Sequence, residues 1–252
     1  MNSIEAEIRN NLYEFYDEIA RIGGFRSEKT VCCSSIINKP GLWPRLIYGI
    51  GAGIPDQSTT SVLQSTTSPE LLIASDESIR KIDPFFRAKG FYPFSAWKGM
   101  AIINLSEIIP ADLPETVQIV KPESSEEIDR WLEIVNSELV APDIIEKSLL
   151  ARLFEQPNFE AYLLKSNGVG VSTILVFTSE RSTGLYLIAT KKEAQKQGFA
   201  MTLVTQIVWQ ISQKTEKPVI LHATQKGQGL YSKLGFLPFN QFFLYRNLNT
   251  NL

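Results

Sequence analysis

Apolar side chains recur at helical spacing from Ile4 to Ile22, at Ile8, Leu12, Phe15, Tyr16, Ile19 and Ile22, and Gly23-Gly24 ends the run. That pattern predicts an amphipathic helix with a glycine exit. Val31 to Ile37 and Leu42 to Ile50 read as strands around Asn38-Lys39-Pro40-Gly41, a tetrapeptide of turn formers. Gly51 to Thr67 is small and polar and carries no period. Leu71 to Ala74 is a short strand. Asp76 to Ala88 has the spacing and ends of a helix closed by Gly90, and Phe91 to Leu105 supplies one or two strands with Lys98-Gly99 in the middle.

The proline-bearing stretch Ile108 to Glu115 is the expected linker, which divides the chain into a leading part, 1–115, and a trailing part, 116–252. The trailing pattern is cleaner. Val117 to Val120 is a strand. Ser124 and Glu127 carry the Ser-x-x-Glu capping box of a helix to Asn136, and Pro142 to Phe154 supplies another. Phe159 to Leu164 and Val169 to Phe177 are strands joined by a tight hairpin at Lys165-Ser166-Asn167-Gly168. A strand at 185–190, a helix at 198–214, a strand at 219–224, a helix at 228–234 and a closing strand from Phe239 to Leu248 complete the order. The fold class expected is α/β, an α+β mixed sheet with helices on both faces.

The chemistry concentrates where the strand 185–190 hands into the helix 198–214. Gln195-Lys196-Gln197-Gly198-Phe199-Ala200 lies there, and a strand that turns directly into a helix makes an anion site from its own backbone. The first amide groups have no partner inside the helix, and its dipole is positive at that end. Gly198 lets the backbone approach a ligand closely. Downstream, Val219 to Thr224 is followed by the loop Gln225-Lys226-Gly227-Gln228-Gly229 and then by Leu230-Tyr231-Ser232-Lys233-Leu234-Gly235-Phe236.

These two blocks, in this order and spacing, resemble the two signature blocks of the GCN5-related N-acetyltransferases (GNAT). The likeness covers the chain from about residue 116 onward. Ile82 to Phe91 and Trp97 to Ala101 are similar to the leading part of longer family members, so the first part is expected to be either a degenerate GNAT-like domain or an unrelated α/β extension. It lacks both signature blocks, and no second coenzyme site is expected there.

The resemblance implies a co-substrate and a set of site residues. Acetyl-coenzyme A would lie with its pyrophosphate on Gln195, Lys196, Gln197, Gly198, Phe199, Ala200 and Met201, and its pantetheine arm along the backbone at Ile188, Ala189 and Thr190. Tyr231 would stand by the sulfur and protonate the departing thiolate. Gln195 replaces the arginine commonest at its place, Lys192 stands where proline is frequent, and Lys191, Lys192 and Lys196 are at hand to restore the lost charge. His222, the sole histidine, is a candidate base or a packed structural residue. Glu138 and Glu146 are further candidates for the base, and a water chain is the alternative. Thr224, Gly227 and Gly229 would shape the loop beside the coenzyme.

Composition sets outer bounds. With 44% hydrophobic residues and a net charge of −2, a packed core is affordable and a clustered nucleic-acid-binding surface is not indicated. No apolar stretch is long enough for a membrane span and no leader peptide is evident, so a cytoplasmic monomer or homodimer without a metal is expected. Cys32 and Cys33 are too few for a disulfide framework and lie in an apolar run as buried thiols. Three functions follow: direct acetyl transfer to a small-molecule or peptide amine, a non-catalytic acyl-coenzyme A sensor, and aminoacyl transfer from transfer RNA. The last is disfavoured by the charge.

Overall fold

The computed structural model describes residues 3–31, 33–50 and 71–247. Cys32, Leu248 and the unassigned stretch from Gly51 to Thr67 lie outside them. The helices are α1 (Ile4–Gly23), α2 (Asp76–Ala88), α3 (Ser125–Val135), α4 (Lys147–Phe154), α5 (Phe199–Ser212) and α6 (Gln228–Lys233). The strands are β1 (Arg26–Lys29), β2 (Ser34–Ile37), β3 (Leu46–Tyr48), β4 (Leu71–Ser75), β5 (Phe91–Ile102), β6 (Val117–Val120), β7 (Phe159–Ser166), β8 (Val169–Thr178), β9 (Thr183–Thr190), β10 (Val219–Thr224) and β11 (Leu237–Asn247).

Among the described residues eleven strands form one mixed sheet, in the order β1-β2-β3-β4-β11-β5-β10-β9-β8-β7-β6. Its layout repeats. An antiparallel run ends in a parallel pair, β3 with β4 and then β9 with β10, and each pair is followed by a helix and a long strand. The two long strands are exchanged: β5 follows β4 in the chain yet pairs with β10, while β11 follows β10 and pairs with β4. β5 and β11 also pair with each other. The sheet therefore runs unbroken across residue 115. The stretch expected as a linker, 108–115, is largely exposed and is tied to α5 by the Ala111 amide, which donates to Gln206 Oε1 at 3.2 Å, and by the half-buried Ile108.

α1 crosses from one part to the other on a single apolar stripe. Ile8, Leu12, Phe15 and Ile19 are buried against both parts of the sheet. Phe15 stacks flat on Tyr186 of β9, with centroids 3.8 Å apart and planes 7° apart. The Tyr186 hydroxyl donates to Asn11 Oδ1 at 2.7 Å, and Asn11 Nδ2 donates to the Ser179 hydroxyl at 3.1 Å and the Ser182 carbonyl at 3.3 Å. A side chain on Gly184 would meet Asn11 Oδ1 at 2.2 Å, so the glycine lets α1 sit this close. The opposite face carries α5 beneath the trailing strands and α2 beneath β4 and β11.

Most elements fall where periodicity puts them, and the differences have local causes. The capping box forms, with Ser124 Oγ accepting from the Glu127 amide at 3.2 Å and Glu127 Oε2 accepting from the Ser124 amide at 3.2 Å. Glu127 also pairs with Lys165, and these bonds hold its carboxyl down to about 2. The hairpin turn closes on Asn167 and Gly168, at φ 50° and 79°, the left-handed pair that a two-residue turn needs. β1 was not expected, since Arg-Ser-Glu-Lys has no apolar face; it forms as an edge strand against β2. The strand expected over Leu42 to Ile50 shrinks to β3, with Pro44 breaking its start. The helix expected from Pro142 begins only at Lys147, and a π-helical turn, Asn136–Val140, follows α3. Cys33 is buried. Among the described residues no helix is long and apolar enough to cross a membrane.

Because the two parts share strands and α1, chemical denaturation is expected to show one transition. Phe15→Ala should lower stability by about 3–5 kcal/mol without splitting that transition. Two separate transitions in circular dichroism and tryptophan fluorescence would contradict the shared-sheet reading.

Candidate active site

β9 and β10 are parallel neighbours for only three registered pairs, Val219 with Thr183, Ile220 with Gly184 and Leu221 with Leu185. Beyond Leu221, β10 stays with β5 as far as Thr224 opposite Trp97. β9 instead follows β8, and a bulge steers it. Thr173 opposes Ala189 and Leu175 opposes Tyr186, which leaves Leu187 and Ile188 against Ile174 alone. Leu187 takes φ 48°, a left-handed conformation that costs a branched side chain energy. β8 holds it there: Thr173 Oγ1 donates to the Leu187 carbonyl at 3.1 Å, and Ser172 Oγ donates to the Ala189 carbonyl at 2.8 Å and bonds the Thr190 hydroxyl at 2.8 Å. From Tyr186 onward the edge of β9 that faces β10 has no ladder partner.

Past Thr190 a single 3₁₀ turn, Lys192–Ala194, leads to the start of α5. Gly198 caps α5 at φ 87° and Lys196 sits at φ 62°. Six consecutive main-chain amides, Lys196 to Met201, have no acceptor among the described residues, and the first amide of α5 to find one is Thr202, which donates to the Gly198 carbonyl at 3.0 Å. A Cβ added at Gly198 would meet nothing within 4 Å. The turn thus presents a run of amide hydrogens and the positive end of a 14-residue helix to open space.

The charged and amide side chains around this turn brace it. Gln195 Nε2 donates to the Thr190 carbonyl at 3.0 Å, and Gln197 Nε2 donates to the Glu193 carbonyl at 3.2 Å. Lys191 is spent on Glu133, and the Lys192 amide donates to Glu138 Oε1 at 3.2 Å. Lys196 stays exposed. Phe199 packs into the core beneath α5, while Ala200 and Met201 are half-buried in its first turn.

Tyr231, on α6, reaches the gap from the other side. Its ring meets Phe236 edge-on at 6.0 Å, and burial pushes its phenol up to about 12. A Cβ on Gly227 would stand 3.0 Å from the Tyr231 ring, which accounts for that glycine; the Gly227 amide in turn donates to the Thr224 carbonyl at 2.9 Å. Gly229 has open space where a side chain would stand.

A cavity of about 430 Å³ passes through the gap. Leu185, Ile188, Leu221, Thr224 and Tyr231 line it at the parting of the strands, and it continues along the α1 face beneath Phe15 and Tyr16. Ile188 and Tyr231 therefore meet in one space, whereas Ala189 is buried and Thr190 is engaged with Ser172. Glu138 and Glu146 do not line the cavity. The bulge at Leu187 was not legible beforehand, because nothing in Leu-Ile-Ala marks a left-handed residue; nor were the roles of Ser172 and Thr173, which read as ordinary strand positions.

His222 packs among aromatic rings: Phe242 edge-on at 4.8 Å, Tyr186 nearly parallel at 6.1 Å and Trp97 tilted at 6.4 Å. Both ring nitrogens are buried and have no hydrogen-bond partner. Burial holds its pKa down to about 3, so the imidazole is neutral near pH 7, and the residue lines the same cavity as Ile188 and Tyr231. It enters no step of the reading below.

Residues 119–245 match the family model described as acetyltransferase (GNAT) domain. Among solved structures, a GCN5-related N-acetyltransferase from Kribbella flavida aligns over 97% of this chain and 96% of its own, with TM-score 0.70 and 14% identity. A GCN5-related N-acetyltransferase from Sphaerobacter thermophilus aligns over 85% and 76%, with TM-score 0.62 and 13% identity. At such identities the likeness is one of fold, and it spans both parts of the sheet. No curated protein matches the sequence.

The buried imidazole makes a pH prediction. An unfolded histidine titrates near 6.5 and the folded one near 3, so between those values the unfolded chain binds the extra proton. Stability is then lost as pH falls below 6.5, by up to about 1.4 kcal/mol per unit. His222→Leu should remove that part of the slope, and at pH 7 it should be as stable as the parent or more so, since two unsatisfied nitrogens leave the core. Urea titrations at several pH values measure this. An unchanged slope would contradict the packing role, and a loss of turnover above a hundredfold would return His222 to the chemistry.

Proposed function

The chain belongs to the GNAT acetyltransferase family, and from that premise we propose that it moves an acetyl group from acetyl-coenzyme A directly to a primary amine. The observation that carries the proposal is the run of unbonded amides at Lys196 to Met201, over open space, at the end of a strand whose free edge borders a cavity. That arrangement fits a diphosphate followed by a peptide-like arm. Phosphate oxygens accept from the amides, and the arm's amides extend the unpaired edge of β9 as a further strand would. The coenzyme supplies the acetyl thioester, and everything else asked of the protein is positioning and charge.

Where strand pairing ends, a main-chain N–H of the bulged segment at Leu187 and Ile188 would polarise the thioester carbonyl, and the bonds from Thr173 and Ser172 hold that segment in place. The acceptor comes from the cavity on the α1 side as a neutral amine. Tyr231 gives its proton to the departing sulfur, and the proton that the attacking nitrogen loses on becoming an amide returns through water to the phenolate, which restores the phenol for the next turnover. Its phenol, near 12, stands some 3.5 units above an ordinary thiol, so complete transfer would be uphill by about 5 kcal/mol if the thiolate were solvated. The same dry walls raise the thiol, which narrows the difference. The raised value also keeps the phenol protonated throughout the pH range in which amines become nucleophilic, so Tyr231 should contribute no alkaline limb to a rate profile below pH 10.

Two variants test this reading. Gly198→Glu places a carboxylate where the diphosphate belongs and forces a side chain onto a left-handed residue; it should abolish the melting-temperature rise that saturating acetyl-coenzyme A gives the parent. A retained rise would show that the coenzyme binds elsewhere. Tyr231→Phe should keep the rise and lower kcat by tenfold to a hundredfold, on the order of what a positioned acid supplies. Equal turnover would remove Tyr231 from the mechanism. A coenzyme-induced rise with no turnover on any primary amine would favour the sensor.

A further inference from the structure

The cavity does not stop at the strand gap. From Leu221 and Tyr231 it runs along the α1 face, past Trp97 and Ser95 of β5 and Leu244 of β11, to Leu71 and Leu46. Its middle is apolar and aromatic. Its far end is not: Arg45 and Arg246 both line it there, with Asp143 the one carboxylate among the described residues of the lining, and Arg45 and Asp143 are each already engaged. Leu46, Leu71 and Arg246 are in register across three neighbouring strands, Leu46 opposite Leu71 and Leu71 opposite Arg246, so the two arginines belong to one end of the space. The Arg246 guanidinium lies over the Phe94 ring at 4.5 Å, and among the described residues it forms no ion pair with a carboxylate. Stacking of this kind fixes the plane of the guanidinium and leaves its edge donors available.

The register also gives a length. Thr224 opposes Trp97, and Trp97 opposes Phe242, four residues before Arg246 on β11. Two strand steps of about 5 Å and four residues of about 3.3 Å separate Thr224 from Arg246 along the backbone, roughly 16 Å. Subtracting the reach of the arginine side chain leaves on the order of 10 Å between an amine held at the strand gap and an anion held by the guanidinium.

We infer that the acceptor is an elongated primary amine with an apolar middle and a carboxylate at its far end, the carboxylate being received by Arg246 with Arg45 beside it. A compact amino acid would be too short to reach from the gap to the arginine, and a dication such as a polyamine would meet the Arg246 guanidinium where it needs an anion. This inference rests on the reading of the strand gap as the place of transfer.

A matched series separates the two. Calorimetric titration of the intact protein, with and without saturating coenzyme A, should show ω-aminooctanoic acid binding at least tenfold more tightly than its primary amide and than ω-aminopropanoic acid. The same order should hold in kcat/KM. Arg246→Gln should bring the acid-to-amide ratio close to one while leaving the temperature rise given by acetyl-coenzyme A unchanged. Equal binding of acid and amide by the parent, or a ratio that Arg246→Gln does not alter, would overturn the inference. Failure of acetyl-coenzyme A to stabilise the protein would instead overturn the transferase reading, and the acid–amide comparison without coenzyme would still decide the role of Arg246.

Discussion

Two parallel strands that pair for three residues and then separate govern the trailing part of this protein. Separation exposes backbone hydrogen-bonding groups on β9, a cost that a fold tolerates only where water or a ligand satisfies them. It is not left to chance. Leu187 is held at a positive φ by Thr173, and Ser172 anchors Ala189 and Thr190, so the strained segment is fixed from the β8 side while its other edge stays open. The start of α5 and the ring of Tyr231 are placed relative to that opening, by the short connection through Lys192–Ala194 and by the turn after β10.

The leading part completes this arrangement. β5 supplies the partner that keeps β10 in the sheet after β9 has left, and α1 lies across the seam through Phe15, Asn11 and Tyr186. Without β5 the far wall of the gap would be an edge strand, and such edges are prone to unwanted pairing. The exchange of long strands joins the two parts in one sheet. It also roofs the cavity on the α1 side with residues that lie outside the matched family segment, 119–245: Phe15, Tyr16, Trp43, Arg45 and Phe94.

Much of this was legible in the sequence. The elements of the trailing part, the capping box at Ser124 and Glu127, the Asn167-Gly168 hairpin and the strand-to-helix turn at Gly198 each rest on a local rule, in which a short peptide states its own conformation. What was not legible depends on partners distant in the chain. Exchange of β5 and β11 is a choice between two nearly equivalent neighbours, and no local pattern records it. β1 forms because β2 needs covering, not because Arg-Ser-Glu-Lys favours a strand. Gln195 resembles a ligand-facing donor in sequence, yet its amide closes the loop on Thr190. His222 is ambiguous in sequence because strand alternation alone does not say that Tyr186, Trp97 and Phe242 surround it.

The most direct test of the central claim is an amide-resolved NMR titration with coenzyme A and with its pantetheine fragment. Coenzyme A should shift the backbone amides of Lys196 to Met201 strongly and those of Leu187 and Ile188 as well, while pantetheine, which lacks the diphosphate, should reach only the β9 amides. Binding of coenzyme A that leaves the amides around Gly198 unmoved would contradict the account.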